Sequence, residues 1–125
     1  NPNIWRPILA MSDAEESYLK AVEAPYKVAG VFNVCSGNFT VGEVAEMVAK
    51  HFEKKHGRII QKETKNIQDY RNYRVSNDKA KNILGINFIG SVESILDELD
   101  ANVDKNFDFE NKNYYNIEVF KTLLS

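Results

Sequence analysis

The 125-residue sequence has little cysteine, no long apolar run and no excess of positive charge. Its single cysteine, Cys35, cannot form an intramolecular disulfide, which fits a reducing cytoplasm. No apolar stretch approaches the roughly 18–20 residues that span a bilayer, so we expect no membrane partner. Sixteen basic residues against 18 acidic ones give a formal net charge of -2. We therefore expect no nucleic-acid partner, because such binding needs a clustered positive surface.

The six glycines do not form the phosphate-binding motifs of nucleotide enzymes. No G-x-G-x-x-G can be written from them, so the dinucleotide-binding turn is missing. Gly85 and Gly90 have the spacing of a Walker pair, but Ser91 follows where that motif requires Lys. The motifs Tyr-x-x-x-Lys, G-x-S-x-G and H-E-x-x-H are also absent. We therefore predict no catalytic and no cofactor-binding residue on this chain.

The cysteine and the two histidines do not form an obvious reactive or metal site. Cys35 ends an apolar run, and we interpret it as a packed thiol because free cysteine behaves as a small hydrophobe. The alternative, a nucleophile, would need a nearby base, for which the sequence has no signature. The five-residue spacing of His51 and His56 does not place them on one helical face, which predicts no metal site.

Capping residues and apolar periodicity predict four main helices. Capping boxes at Ser12–Glu15 and Thr40–Glu43 begin the first two, and Ser76 and Ser91 begin the others. Glycines 57 and 85 are the predicted stops of the second and third helices. Three predicted strands are Ile8–Met11, Gly30–Val34 and Arg58–Gln61. This order favours a small mixed α/β unit over residues 1–106, followed by a C-terminal tail over 107–125 with a short helix.

Charge is uneven along the chain. Residues 50–65 contain six basic and two acidic side chains, whereas residues 93–110 contain seven acidic side chains and one basic. Such runs usually form solvated faces. A basic surface that faces a small anionic ligand is the alternative for the first run.

Two segments carry arginines in settings that suit phosphate binding. Residues 5–9 fix Arg6 between an aromatic ring and a proline, and residues 69–75 alternate aromatic and arginine side chains. Arginine presents a planar fork that matches two phosphate oxygens. Arg6 and Arg71 either clamp a diphosphate together or pair with local acids, such as Asp13 and Asp69.

These segments resemble the C-terminal part of the NAD-dependent epimerase/dehydratase family, the extended short-chain dehydrogenases that act on nucleotide sugars. The resemblance spans about residues 5–120, and its short motifs occur in the family's order and spacing. The motifs are Arg6-Pro7-Ile8-Leu9 with Asp13-Ala14, Gly30–Val34 with Ser36-Gly37, Thr40–Ala45, Asp69–Val75, Lys79-Ala80 with Leu84-Gly85, and Tyr114-Tyr115-Asn116.

The resemblance implies the substrate-binding, C-terminal part of an extended Rossmann-type short-chain dehydrogenase. In that family a separate N-terminal Rossmann domain holds NAD or NADP and the Tyr-Lys catalytic pair, and the smaller region closes over a nucleotide diphosphate sugar. Arg6 inherits a diphosphate contact and Arg71 a similar one. Asp69 and Tyr73 are the other substrate-binding candidates. The expected partners are the nucleotide sugar, the missing Rossmann domain and a second copy in a homodimer, with no cofactor on this chain alone.

The sequence departs from the family pattern at several positions. Ala10 stands where many members have His, and Cys35 stands where many have Gly before the Ser-Gly pair. Lys62 and Lys65 are the cations available where a second phosphate-binding arginine commonly lies. Because lysine is a point charge without a planar fork, we expect a weaker or differently built diphosphate clamp.

Two hypotheses of function follow. The first is a fragment of a cytoplasmic, NAD(P)-dependent nucleotide-sugar epimerase, dehydratase or reductase, which supplies diphosphate binding and turns over nothing by itself. The second is a free-standing α/β interaction module without catalytic activity. A Gly-rich strand-turn-helix and a Tyr-x-x-x-Lys motif upstream of Asn1 would support the first hypothesis.

Overall fold

A computed structural model describes residues 1–65, 70–103 and 107–123. Within these residues the chain is a small mixed α/β unit with two strands and five α-helices. The strands are β1 (Trp5–Ile8) and β2 (Gly37–Thr40). The helices are α1 (Met11–Glu23), α2 (Val41–His56), α3 (Asp78–Leu84), α4 (Val92–Asn102) and α5 (Asn116–Leu123), with a 3-10 turn over Lys112–Tyr114. None of these helices combines the length and the apolar character needed to cross a bilayer.

The two strands form an antiparallel pair. Trp5 lies opposite Thr40, and Ile8 lies opposite Gly37. Beyond the strands, the Ser36 N–H donates to the Ile8 carbonyl at 2.8 Å and the Val41 N–H donates to the Ile4 carbonyl at 2.9 Å. The pairing therefore places β1 alongside the chain that enters α2.

The strands differ from the sequence-based prediction. β1 overlaps the predicted Ile8–Met11 strand only at Ile8. The predicted strand extends too far along the chain, because Met11 already belongs to α1. The predicted strands Gly30–Val34 and Arg58–Gln61 are wrong, since residues 30–34 and 58–61 form no strand in the structure. A strand needs a neighbouring chain for its backbone hydrogen bonds, and the described sheet contains only β1 and β2. β2 itself was not predicted.

Helix ends agree with the prediction where local side chains determine them. Thr40 and Glu43 form the predicted capping box of α2, and Gly57 ends that helix in the left-handed region with φ 63°. Gly85 ends α3 in the same conformation, and Ser91 caps α4. Each of these capping signals acts over three or four residues, so it can be recognised from the sequence alone.

The first and third helices begin at other residues than predicted. Ser12 lies inside α1, whose N-cap is Ala10 without a side-chain hydrogen bond, so the predicted Ser12 capping box is wrong. The N-cap of α3 is Asn77 rather than Ser76. The Asn77 side-chain amide donates to the Cys35 carbonyl at 2.6 Å, which is a tertiary contact and not a local one.

The apolar core is small and leaves one side of α1 uncovered. Met11, Tyr18 and Val22 are 62%, 77% and 86% exposed, and their spacing places them on one side of the helix. The described part of the chain therefore does not cover this apolar face. The predicted packing of Cys35 is confirmed. The buried apolar side chains are Ile4, Ala10, Cys35, Ala80, Ile86 and Val92.

Candidate functional site

Trp5 joins the two segments that carry the candidate arginines. Its backbone N–H donates to Oδ1 of Asn72 at 2.9 Å. The guanidinium of Arg74 lies over its ring, 4.8 Å from the centroid, where the negative face of an aromatic ring attracts a cation. The structure therefore brings β1 and residues 70–75 side by side.

The end of the 70–75 segment is fixed to β2. The Asn38 side-chain amide donates to the Val75 carbonyl, and the Val75 N–H donates to Asn38 Oδ1, both at 2.9 Å. The Cys35 thiol lies 3.7 Å from the same carbonyl oxygen. The side-chain amide of Asn38 thus satisfies both the N–H and the carbonyl of Val75. The segment has no regular secondary structure, but its position is defined by these bonds.

Arg6 lies within β1, opposite Phe39 of β2, and is half-buried. Its Nη1 donates to the carbonyl oxygen of Trp5 at 2.9 Å. This bond holds the guanidinium close to its own strand. Successive side chains of a strand point to opposite faces, so Arg6 and Trp5 leave β1 on different sides.

The other predicted substrate-binding residues belong to the second segment. Arg71 and Tyr73 are exposed, and both are adjacent to Asn72, which is bonded to β1. Asp69, the fourth predicted residue, lies outside the described residues. The structure therefore places Arg6, Arg71 and Tyr73 on two segments that meet at Trp5.

Lys62 and Lys65, the substitutes for a second phosphate-binding arginine, lie near acidic side chains. Lys62 forms a close ion pair with Glu46 of α2, and this hydrogen bond is the main reason that the pKa of Glu46 lies below its ordinary value. Lys65 Nζ lies 3.8 Å from Glu63. Exposed pairs of this kind are weak, but they offset the positive charge that a diphosphate would meet.

Asp13 is the buried charged residue of the described chain, with 1% of its surface exposed. Its Oδ1 accepts the N–H groups of Ile89 and Gly90 at 3.0 and 3.1 Å, and its Oδ2 accepts the Ser36 hydroxyl. Ser36 Oγ in turn accepts the Ala10 N–H at 2.9 Å. This carboxylate therefore bonds backbone amides and a hydroxyl rather than an arginine, and it ties the start of α1 to the loop before α4.

Basic residues of α2 face acidic residues of α4. Lys55 Nζ lies 3.0 Å from both Asp97 Oδ1 and Asp100 Oδ2. Hydrogen bonding to Lys55 is the main cause that lowers the pKa of both carboxyls, and hydrogen bonds to Asp97 and then Asp100 raise the pKa of Lys55. Part of the basic run therefore pairs with the acidic run of the same chain.

His51 and His56 lie closer together than their spacing suggested. With Asp100 of α4 they offer three potential ligand atoms, all within 4.8 Å of one another. The prediction of no metal site considered the spacing within α2 alone, and it stays a prediction. The third residue comes from α4, which packs against α2.

Sequence reasoning missed the residues that hold the candidate site in place. Asn38 has no local signal, because its partner Val75 lies 37 residues away. Asn72 and Arg74 belong to residues 69–75, which the sequence analysis selected. The alternation of aromatic and polar residues there is the signal that could have identified them. Their attachment to Trp5 is a tertiary contact that this alternation does not specify.

No family model, curated protein or solved structure matches the chain. The resemblance of the sequence motifs to the epimerase/dehydratase family stays a prediction.

Proposed function

We propose that the chain is the substrate-binding part of an NAD(P)-dependent nucleotide-sugar epimerase, dehydratase or reductase, and that it binds the diphosphate of the nucleotide sugar. The observation that carries this proposal is the junction at Trp5. Two segments that resemble the family's substrate-binding motifs meet there, through the hydrogen bond of Trp5 to Asn72, 67 residues away, and the contact of its ring with Arg74.

The chemistry of the two segments suits a diphosphate. Arg6 is held on the sheet by its bond to Trp5, and Arg71 lies on the neighbouring segment. A guanidinium donates two parallel hydrogen bonds to phosphate oxygens, and bonds of this kind are about twice as strong as neutral ones. Tyr73, 52% exposed, adds a phenolic hydroxyl that can donate to a phosphate or a sugar. The proposed site thus combines two cations with one neutral donor.

The surface of the chain supports the presence of a further domain. Residues 31–34 alternate between exposed and half-buried side chains, as a strand with one covered face does, yet they have no strand partner in the described chain. The apolar face of α1, with Met11, Tyr18 and Val22, is a second surface that the described chain leaves exposed. We infer that both belong to the contact with a Rossmann-type domain, which would make this chain the C-terminal part of such an enzyme.

The residues between β1 and α1 do not fit the nicotinamide cofactor. A dinucleotide phosphate approaches the backbone of a glycine-rich strand-turn-helix, but here the turn is Leu9-Ala10, and both residues carry side chains. The first turn of α1 contains the carboxylate of Asp13, whose charge opposes a phosphate. In the proposed enzyme this chain therefore binds and positions the substrate, and the redox chemistry belongs to the other domain.

The diphosphate site is tested by substitution in the longest natural form of the protein. We expect Arg6→Ala and Arg71→Ala each to weaken binding of UDP-glucose or dTDP-glucose by about 1.5–3 kcal/mol, the range for hydrogen bonds to charged groups. Arg58→Ala is the matched control, because Arg58 is an exposed arginine outside both segments. Calorimetry measures the affinities, and circular dichroism checks the fold. Unchanged affinity in both Arg6 and Arg71 variants would reject the clamp.

The interaction module remains the second candidate, because the apolar face of α1 could equally contact an unrelated protein. Calorimetry of residues 1–125 with NAD tests whether the cofactor binds to this chain or only to the other domain. We expect no tight stoichiometric binding, since the described residues contain no dinucleotide turn. Tight binding would overturn the proposed role of this chain. Nucleotide-sugar affinity that depends on Arg6 and Arg71 separates the enzyme proposal from the module.

A further inference from the structure

The contact between α2 and α4 contains a cluster that the proposed substrate site does not use. His51 and His56 of α2 and Asp100 of α4 each offer one metal-ligating atom, and these atoms lie within 4.8 Å of one another. Two imidazoles and a carboxylate are a donor set that suits zinc and similar divalent transition metals. The cluster is separate from Trp5 and from residues 70–75 in the sequence, and it involves different elements.

One carboxylate oxygen of Asp100 is already turned toward the histidines. Asp100 Oδ1 lies 2.9 Å from His56 Nε2, whereas its Oδ2 lies 3.0 Å from Lys55 Nζ. Lys55 therefore bonds the oxygen on the other side of the carboxyl group and leaves Oδ1 facing His56. Ligating carboxylates commonly have such an outer partner, which fixes their orientation.

His51 supplies the observation that an ordinary ion pair does not explain. Its Nε2 is buried and has no hydrogen-bond partner among the described residues. Buried polar side-chain atoms are hydrogen-bonded in the large majority of cases, so an orphaned one calls for an explanation. The pair of His56 and Asp100 accounts for two members of the cluster, and a cation bound through Nε2 of His51 would account for the third.

The distances allow a tetrahedral site with small movements. Zinc bonds of about 2.0–2.2 Å place neighbouring ligand atoms about 3.4 Å apart. The 2.9 Å separation of His56 and Asp100 would open by about half an ångström, and the largest separation in the cluster, at most 4.8 Å, would close by about 1.4 Å. Rotations of imidazole side chains supply movements of this size without a change in the helices.

We propose that His51, His56 and Asp100 form a binding site for a divalent transition metal of the zinc type, with water as the fourth ligand. The metal would join α2 to α4 and would add positive charge beside the acidic run of α4. This proposal does not depend on the nucleotide-sugar site. It predicts a specific stoichiometry of one metal ion per chain.

The test uses tag-free protein from which metal has been removed with a chelator. We expect Zn²⁺ to bind one per chain and Co²⁺ to give the intense visible absorption of a tetrahedral complex. His51→Ala, His56→Ala and Asp100→Asn should each weaken Zn²⁺ binding about tenfold or more, since each removes one ligand of three. Glu98→Gln is the matched control, because Glu98 is an exposed acid of α4 outside the cluster.

A measurement on the unaltered protein covers the case in which a variant fails to fold. Zn²⁺ should shift the ring-nitrogen NMR signals of His51 and His56 together, at a single equivalent of metal. The proposal is overturned if no stoichiometric binding occurs. It is also overturned if only the His56 signals move, or if His51→Ala binds zinc as tightly as the unaltered protein. Either result would leave the His56–Asp100 ion pair as the explanation.

Discussion

Replacing Asp13 by Ala should remove much of the stability of the chain. The Asp13 carboxylate is 1% exposed and accepts hydrogen bonds from the N–H groups of Ile89 and Gly90 and from the Ser36 hydroxyl. Alanine would leave these donors without their acceptor. Each buried donor that is left unsatisfied costs about 1–3 kcal/mol, and three donors lose their acceptor here. We therefore expect a loss of about 3–5 kcal/mol.

The loss can be followed by urea unfolding, with the fluorescence of Trp5, the single tryptophan, as the signal. Domains are stable by about 5–15 kcal/mol, so a loss of this size would lower the urea midpoint strongly. Asp13→Asn keeps one carbonyl acceptor and should lose less, about 1–3 kcal/mol. Glu15→Ala, an exposed acid on the same helix, is the control and should stay within about 0.5 kcal/mol. A loss below about 1 kcal/mol for Asp13→Ala would refute the reasoning.

Three further outcomes are expected. Gly90→Ala should cost about 2–3 kcal/mol in the same assay, because a Cβ there would overlap Ala10 and lie 2.7 Å from Asp13 Oδ2; a loss below about 0.5 kcal/mol would contradict the packing. Burial raises the pKa of the Cys35 thiol, so its alkylation by iodoacetamide at pH 8 should be about 100-fold slower in native protein than in urea, and equal rates would contradict the burial. Lys62→Met should raise the pKa of Glu46, observed by carboxyl NMR. Because Lys62 lowers that pKa in the folded chain, the ion pair stabilises the fold at pH values above the unfolded pKa of Glu46, and this contribution is lost as the pH falls through the folded pKa. An unchanged pKa in the variant would show that the pair does not form in solution.

The parts of the fold that the sequence specified are those set by near neighbours. Thr40 and Glu43 cap α2 within three residues, and Gly57 ends it with a left-handed backbone, so both ends of this helix were predicted. β2 was missed because its strand character depends on pairing with β1, some 30 residues earlier, and not on its own composition. Residues 30–34 show the reverse case, since an apolar run has a strand's pattern but no partner.

The candidate site divides in the same way. The arginines and tyrosine could be selected from sequence because their chemistry suits a diphosphate wherever they lie. Their arrangement depends on Trp5 and Asn38, whose hydrogen-bond partners are 67 and 37 residues away in the chain. A pattern of neighbouring residues cannot predict contacts between residues so far apart. The histidine cluster was excluded for a related reason, because its third member, Asp100, belongs to a different helix.

Asn38 connects the proposed ligand site to α2, the longest described helix. This residue holds Val75 by two hydrogen bonds, and two residues later Thr40 ends β2 and caps α2. The exposed segment with Arg71 and Tyr73 is therefore anchored to β2, two residues before the N-cap of α2. A ligand that orders this segment would thereby restrain the start of α2, whose last turn carries Lys55 and His56 opposite α4.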